Sequence, residues 1–389
     1  MHIVLFFSHG ISMQDWHSAG ILSREIRLYQ EAVRRGITFT FITFGDKQDL
    51  QWQGVYPGIE IVPIFAGREK SKNRISLWLH SWYSQFWLED KITRPDLVKT
   101  NQILGGLLAA SMATRWKTPL LVRCGYEPYR FVKASAGSWW KVKFIHWYAR
   151  TVYRSATRIH VATDNDKKYI VVQFFSRKKQ PVINVHPNWV DTRRFRPIFE
   201  DSNRGSMVDG RVLAIGRPTG QKNFRLLIEA ISMGSYGLDL ITDLSPESVK
   251  LRQYAVKVGA DVEFHSRVPH EELPEIYQGH QIYLITSQFE GHPKTLLEAM
   301  ACGCAVIGTQ TPGIEELIED NVTGLLVAPT ALAIHQAIVS LMADEKYRQR
   351  LGANAFKYVE QHCSLDRAIK DEIQAYVDCK VVPDISEER

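Results

Sequence analysis

Apolar residues along this chain fall into short, nearly continuous runs separated by longer amphipathic stretches. Residues 2–7 (HIVLFF) and 38–43 (TFTFIT) are dense in β-branched and aromatic side chains, and residues 19–35 between them repeat apolar positions at helical spacing. That stretch ends Arg34-Arg35-Gly36, a basic last turn followed by a glycine stop. Strand-like runs recur at 60–64, 96–99, 119–123, 157–162 and 182–185. A second series begins at Arg211: VLAIG, a helical pattern near 222–233, LDLIT, DVEFHSRV, QIYLITS, AVIGT and GLLVA, then a helical tail over about 332–382. Strands alternating with helices imply parallel sheets built from βαβ crossovers. The pattern predicts an α/β protein with two doubly wound, Rossmann-like domains, since 389 residues exceed what one hydrophobic core usually organises. There is no internal repeat beyond this rhythm, and the terminal DISEER reads as a disordered end.

Composition narrows the compartment. With 45% hydrophobic and 23% charged residues the chain is ordinary globular material. Its five cysteines form no CxxC pair and are odd in number, which points to reduced thiols in the cytoplasm rather than a disulfide framework. Cys302 and Cys304 flank Gly303 beside a buried strand, a packing arrangement rather than a metal or redox pair. The N-terminal apolar run is too short for a signal peptide, and no run approaches a membrane span. Charge then divides the chain. Residues 1–200 carry a net +15 and residues 201–389 a net −9, within the overall +6. All ten tryptophans, from Trp16 to Trp189, lie in the basic half, which predicts that this half meets an anionic surface or acceptor.

Candidate chemistry concentrates in residues 287–312, SQFEGHPKTLLEAMACGCAVIGTQTP. Glu290 and Glu298 stand eight positions apart around a short loop, and Leu296, Leu297, Ala299, Met300 and Ala301 read as a helix that Thr295 caps or opens. Amides at a helix start favour phosphate, and a carboxylate beside them accepts hydrogen bonds from sugar hydroxyls. A ligand that is part phosphate and part polyol, a nucleotide sugar, fits both. Upstream, a strand ends in Gly216, and Arg217 and Lys222 flank a turn before a helix. Arginine can fork onto phosphate oxygens, and lysine supplies a mobile point charge.

The string E-x7-E before a small-residue helix end, followed by AVIGT and TPG, resembles the retaining family 4 glycosyltransferases of the GT-B fold. The resemblance implies two Rossmann-like domains facing each other across a cleft. Residues 1–190 would bind acceptor, with helix 365–382 packing back on them, and residues 191–364 would bind the nucleotide sugar. NWVDTRRFRP (188–197) would be the hinge. It further implies that Arg217 and Lys222 hold the diphosphate, that Glu290 contacts donor-sugar hydroxyls and that Glu298 contacts the ribose. Gly291 and the amides through Thr295 and Leu296 would face sugar and phosphates, with Lys294 and His292 as further ligand contacts. Arg267 and Val268 at a strand end would meet the nucleobase. In the first half, Gly20 stands where the family places glycines near the donor phosphate, and His9 follows the first strand. Where the family often shows a histidine after strand 119–123, this chain has Arg123-Cys124-Gly125-Tyr126-Glu127, so Arg123, Tyr126 and Glu127 become the acceptor-side candidates. Asp164-Asn165-Asp166 reads as a helix start with acidic first-turn residues, not a metal site. No metal and no cofactor beyond the nucleotide-sugar co-substrate is expected.

Two aromatic, basic segments bear on location. In 139–155 (WWKVKFIHWYARTVYRS), Lys143, Trp147, Arg150 and Arg154 share one helical face, with Phe144, Ile145, Tyr148 and Val152 largely opposite. Near 77–88, Trp78, Trp82 and Gln85 or Phe86 form a stripe after Arg68, Lys70, Lys72 and Arg74. Such helices lie in a lipid headgroup zone. The sequence therefore predicts a cytoplasmic sugar transferase, peripheral on the inner face of the membrane. It would move a sugar from a UDP- or GDP-sugar to a saccharide or lipid-linked saccharide in cell-surface glycan synthesis. A nucleotide-sugar epimerase of the same fold and a non-catalytic glycan-binding relative are the rivals, and no nucleic-acid recognition motif is present.

Overall fold

The computed structural model describes residues 1–67, 73–134, 138–175, 180–198 and 210–380. Arg68, Lys70, Lys72, the side chain of Arg74 and the terminal DISEER lie outside the described residues. Two compact units form, one from Met1–His186 with the chain from Ile369 onward, the other from Pro187–Ala368.

The first unit runs β1 (His2–Phe6), α1 (Met13–Ser18), α2 (Leu22–Val33), β2 (Thr38–Asp46), β3 (Ile59–Phe65), α3 (Arg74–Tyr83), α4 (Gln85–Lys91) and β4 (Leu97–Thr100). It continues through α5 (Gly106–Trp116), β5 (Leu120–Cys124), α6 (Pro128–Ala134), α7 (Trp139–Ser155), β6 (Arg158–Val161), α8 (Asp164–Ile170) and β7 (Val182–Val185). Its seven strands order β3-β2-β1-β4-β5-β6-β7. All the pairings are parallel, with Ile3 opposite Phe39 on one side and Leu97 on the other. The apolar runs are buried on both faces, as a covered parallel sheet demands.

The expected helix at 19–35 is the second of two helices, α2, and α1 before it lies outside the expected range. Ser12 caps the first, accepting from the Asp15 amide while the Asp15 carboxylate accepts from the Ser12 amide, a reciprocal box the pattern alone did not reveal. The break falls at Gly20, whose φ of +62° only glycine adopts without strain. Asp164 and Asp166 do sit in the first turn of α8, capped by Thr163.

The second unit runs β8 (Arg211–Ile215), α9 (Phe224–Ile231), β9 (Gly237–Ile241), α10 (Pro246–Val258), β10 (Val262–His265), α11 (Leu273–Gly279), β11 (Ile282–Ile285), α12 (Lys294–Ala301), β12 (Ala305–Thr309) and β13 (Leu325–Val327). The helices α13 (Ala331–Ala343), α14 (Glu345–His362) and α15 (Leu365–Lys380) follow. Strand order is β10-β9-β8-β11-β12-β13, so the chain leaves β8 toward one edge and returns to its other side at β11. The switch point of the sheet therefore lies between β8 and β11, where the topology places a crevice at the carboxyl ends of the strands. The expected strand 261–268 ends at His265. It is the edge strand, paired on one side only, and Arg267 and Val268 lie beyond it.

The last helix closes the first sheet. Lys99 on β4 and Arg123 on β5 stand on one face of the sheet, and His160 on β6 stands opposite Arg123 on that same face. Buried Lys99 donates to Glu372 of α15 at 2.7 Å and to the Tyr376 hydroxyl at 3.0 Å. Lys380 pairs with Asp96 at 2.7 Å, and Arg158 approaches Asp378. Burial opposes ionisation of Glu372, but Lys99, His160 and His186 together hold its carboxyl well below the usual carboxylate range.

Candidate functional site

The crevice of the second unit is lined by three turns, each following one of three adjacent strands. After β8 the chain passes Gly216 and Arg217 into a single 3-10 turn, Gly220–Lys222, which Asn223 ends with φ +51°. After β11 it passes Thr286, Ser287 and Glu290 to Pro293, which precedes α12. After β12 it turns through Thr311, Pro312 and Gly313.

Hydrogen bonds stitch the first two turns together. The Gln288 amide donates to the Gln221 carbonyl at 2.8 Å, and Gln221 Nε2 donates to the Phe289 carbonyl at 2.8 Å. Thr286 Oγ1 donates to the Lys222 carbonyl at 3.0 Å. Side chains then meet over this frame: Lys222 Nζ lies 2.5 Å from Glu290 Oε1, and Ser287 Oγ donates to the same oxygen at 2.6 Å. Gly216 leaves room for them, since a Cβ there would stand 3.4 Å from Lys222 Cε. The third turn packs beneath. Gly313 has φ +86°, and a Cβ on it would lie 2.2 Å from the Gly291 carbonyl oxygen, so no other residue keeps this contact.

The structure thus brings Gly216, Lys222, Glu290 and Gly291 together. Arg217 is exposed at the rim of the first turn, with no side-chain hydrogen bond or ion pair among the described residues. Thr295 opens α12 without capping it. Pro293 is the cap residue and makes no side-chain cap hydrogen bond. Lys294 lies over the Trp189 ring at 5.7 Å, and Asn188 Nδ2 donates to the His292 carbonyl at 2.6 Å. Glu298 is buried below the loop, accepting from the Tyr277 hydroxyl at 3.1 Å and paired with His270 Nε2 at 3.0 Å. Leu296 is core. Arg267 is exposed past the edge strand, and Val268 packs on the apolar cluster that also holds Leu296.

Sequence reasoning missed Gln221, Thr286 and Ser287, which set the frame, and His270 and Tyr277, which hold Glu298. Ser287 stood three residues before Glu290, a legible spacing. His270 and Tyr277 gave no local signal.

Two of the first-unit acceptor candidates change. Arg123 turns inward beside Glu372 and gives Nη1 to the His186 carbonyl at 2.6 Å. Glu127 is fully buried, and its carboxylate accepts from the Arg130 amide at 2.7 Å, holding the first turn of α6. Both side chains are thus turned into the interior, away from solvent. Tyr126 remains exposed, while His9 is half-buried against Phe44. Gly20 lies in the joint before α2, with open space around its Cβ position.

Burial pushes the Glu127 carboxyl up to about 7, against the pull of the Arg130 and Tyr129 amides. With a folded value above the unfolded one, stability is greatest at low pH and is lost as pH rises through 7. The full loss is about 3 kcal/mol. Glu127→Gln is expected to remove that decline between pH 5 and pH 8 in urea unfolding; an unchanged slope would contradict it.

Two clusters among the described residues offer three metal-ligand atoms within 4.8 Å: His160, His186 and Glu372, and Asp239, Glu263 and His265. In the first, the imidazoles stack 9° from parallel, so their in-plane lone pairs do not converge, and Lys99 occupies Glu372. In the second, the Arg211 guanidinium pairs with Asp239 and Glu263. Neither includes a residue of the crevice turns.

Comparison with known proteins bears on the whole chain. Residues 24–189 match the glycosyl transferase 4-like domain, and residues 200–358 match glycosyl transferases group 1. An uncharacterized glycosyltransferase of Methanocaldococcus jannaschii is 22% identical, covering 81% of this chain and 81% of its own. Sucrose-phosphate synthase of Thermosynechococcus elongatus superposes with TM-score 0.78 at 19% identity, covering 97% of this chain and 98% of that one. HepE of Anabaena, solved with UDP and glucose, gives TM-score 0.75 at 16% identity over 97% of this chain and 100% of its own. With two parallel Rossmann-like sheets and a domain match on each, this chain belongs to the group 1 glycosyl transferases, the family 4 glycosyltransferases of the GT-B fold.

Proposed function

We propose that this glycosyltransferase moves a sugar from a UDP- or GDP-sugar to a saccharide or lipid-linked saccharide acceptor, with retention at the anomeric carbon and without a metal ion. The observation that carries the reading is the Lys222–Glu290 pair, held over interlocked turns at the switch point of the second sheet. A cation and a carboxylate at one point suit a ligand whose diphosphate meets sugar hydroxyls there. UDP and glucose in the Anabaena neighbour support a nucleotide-sugar donor.

In this reading the donor enters with its diphosphate toward Lys222, Arg217 and the uncapped amides of α12, and its sugar hydroxyls toward Glu290. As the bond from anomeric carbon to phosphate oxygen breaks, negative charge grows on the diphosphate, and these fixed positive groups stabilise it. The acceptor hydroxyl forms its bond on the face the diphosphate leaves, and its proton passes to a departing phosphate oxygen. Glu298 orients the loop and the ribose from below, itself held by His270 and Tyr277. Two protein cations do the work of a divalent ion, so EDTA is expected to leave the rate unchanged. NMR of the product is expected to show the donor's anomeric configuration. An inverted product, or activity abolished by EDTA and restored by Mn²⁺ or Mg²⁺, would overturn the mechanism. Turnover of donor alone to an epimer would overturn the transferase reading.

A further inference from the structure

The exposed face of α7 is neither core nor polar surface. Trp139 is 70% exposed, Trp140 55%, Phe144 49% and Trp147 51%. Tyr148, Ala149, Val152 and Tyr153 on the opposite side are buried, with the Tyr148 hydroxyl donating to the Leu104 carbonyl at 2.6 Å. Phe144 therefore belongs to the outer face, in contrast to the sequence expectation, because the inner arc is filled by these four residues. At 100° per residue, Trp140, Phe144 and Trp147 form one strip and Lys143, Arg150 and Arg154 a parallel strip beside it. Lys143 Nζ lies over the Trp139 ring at 4.9 Å, and Lys141 Nζ over Trp140 at 5.4 Å. The helix carries no carboxylate.

A second aromatic group lies in the same helical layer. Trp78 and Trp82 of α3 stack at 6.1 Å, and Leu79, Tyr83 and Phe86 are more than half exposed. Gln85, by contrast, turns inward to accept from Ser111 of α5 at 2.6 Å, so of the two residues offered for the end of the stripe it is Phe86 that is exposed. In turn α5 packs on α7, where Val152 fills the space above Gly106. Among the described residues no helix is long and apolar enough to cross a membrane.

From these observations we infer that the α7 face is a docking surface for an anionic lipid bilayer, with α7 lying in the membrane plane. Tryptophan is favoured at the headgroup level, where its ring is apolar and its N–H stays wet. A cationic strip alongside, with no acidic residue to repel lipid phosphates, supplies the electrostatic half of the attachment. A protein partner or a second copy would have to cover four large aromatics while also neutralising four cations on one helix. A bilayer containing acidic lipid supplies both at once.

The test is sedimentation of the full chain with vesicles of phosphatidylcholine alone and of phosphatidylcholine with 30% phosphatidylglycerol. Binding is expected only to the acidic vesicles, with release in high salt and a blue shift of tryptophan emission. The triple variant Trp140→Ala/Phe144→Ala/Trp147→Ala is expected to lower the partition coefficient at least tenfold. Lys143→Glu/Arg150→Glu, checked for an unchanged melting temperature, is expected to do the same. Equal binding to neutral vesicles, no binding to either, or unchanged binding by both variants would overturn the proposal. So would retention on nucleic acid, or concentration-dependent dimerisation through this face, without lipid binding.

Discussion

Replacing Lys222 by alanine is expected to lower kcat about 10²–10³-fold, equivalent to about 3–4 kcal/mol of lost transition-state stabilisation. Lys222 ends the 3-10 turn after β8, and its ammonium sits 2.5 Å from Glu290 Oε1 in a partly shielded position. In the resting protein this pair contributes modestly, about 1 kcal/mol, because water still reaches it. The charge matters most when a second negative group develops on the departing diphosphate. The loss should therefore fall on kcat more than on donor KM. Lys222→Arg is expected to restore part of the rate only. The side chain passes close to Gly216, and a planar guanidinium fork presents its charge in a different geometry from a compact ammonium. Steady-state kinetics decide the matter, and a kcat within threefold of wild type for Lys222→Ala would contradict the assignment.

Glu372→Ala is expected to destabilise the first unit by about 3–5 kcal/mol, since it strands a buried ammonium. Lys99 and Glu372 have side chains only 3% and 7% exposed, and their 2.7 Å contact ties α15 to the sheet face that Arg123 and His160 share. Removing both charges together, as Lys99→Met/Glu372→Leu, is expected to recover most of the loss, because apolar groups of similar volume need no partner. The carboxyl's low folded value gives the pH signature. Its stabilisation is fully present above the unfolded pKa and disappears as acid reaches the folded value, below the usual carboxylate range. Urea unfolding monitored at neutral pH provides the check. A loss under 1 kcal/mol for Glu372→Ala would show that α15 is held by its apolar contacts alone.

The strands were legible because a parallel sheet buries both faces, and continuous runs such as AVIGT have no other use. That strand spans Ala305–Thr309, as its run of letters indicated. The short helix α1 was not read, because six residues are too few to show a helical period and its start rests on the reciprocal bonds of Ser12 and Asp15. Arg123 and Glu127 misled for a different reason. A charged residue at a strand end reads as solvent-facing, yet here α15 covers the sheet and supplies Glu372, while the Arg130 amide donates to one oxygen of Glu127. Such partners lie far away in sequence or belong to the backbone, and no local pattern announces them. In the second unit the motif residues and their partners come from turns that each follow a strand, so spacing carried more of the geometry.

The most direct measurement is thermal unfolding of wild type and Lys222→Ala against UDP-, GDP-, ADP- and dTDP-sugars, with and without EDTA. Selective stabilisation by one nucleotide sugar, indifferent to EDTA and lost in the variant, is the predicted result. No stabilisation by any of the four, or stabilisation that EDTA abolishes, would contradict a metal-free nucleotide-sugar site built on Lys222 and Glu290.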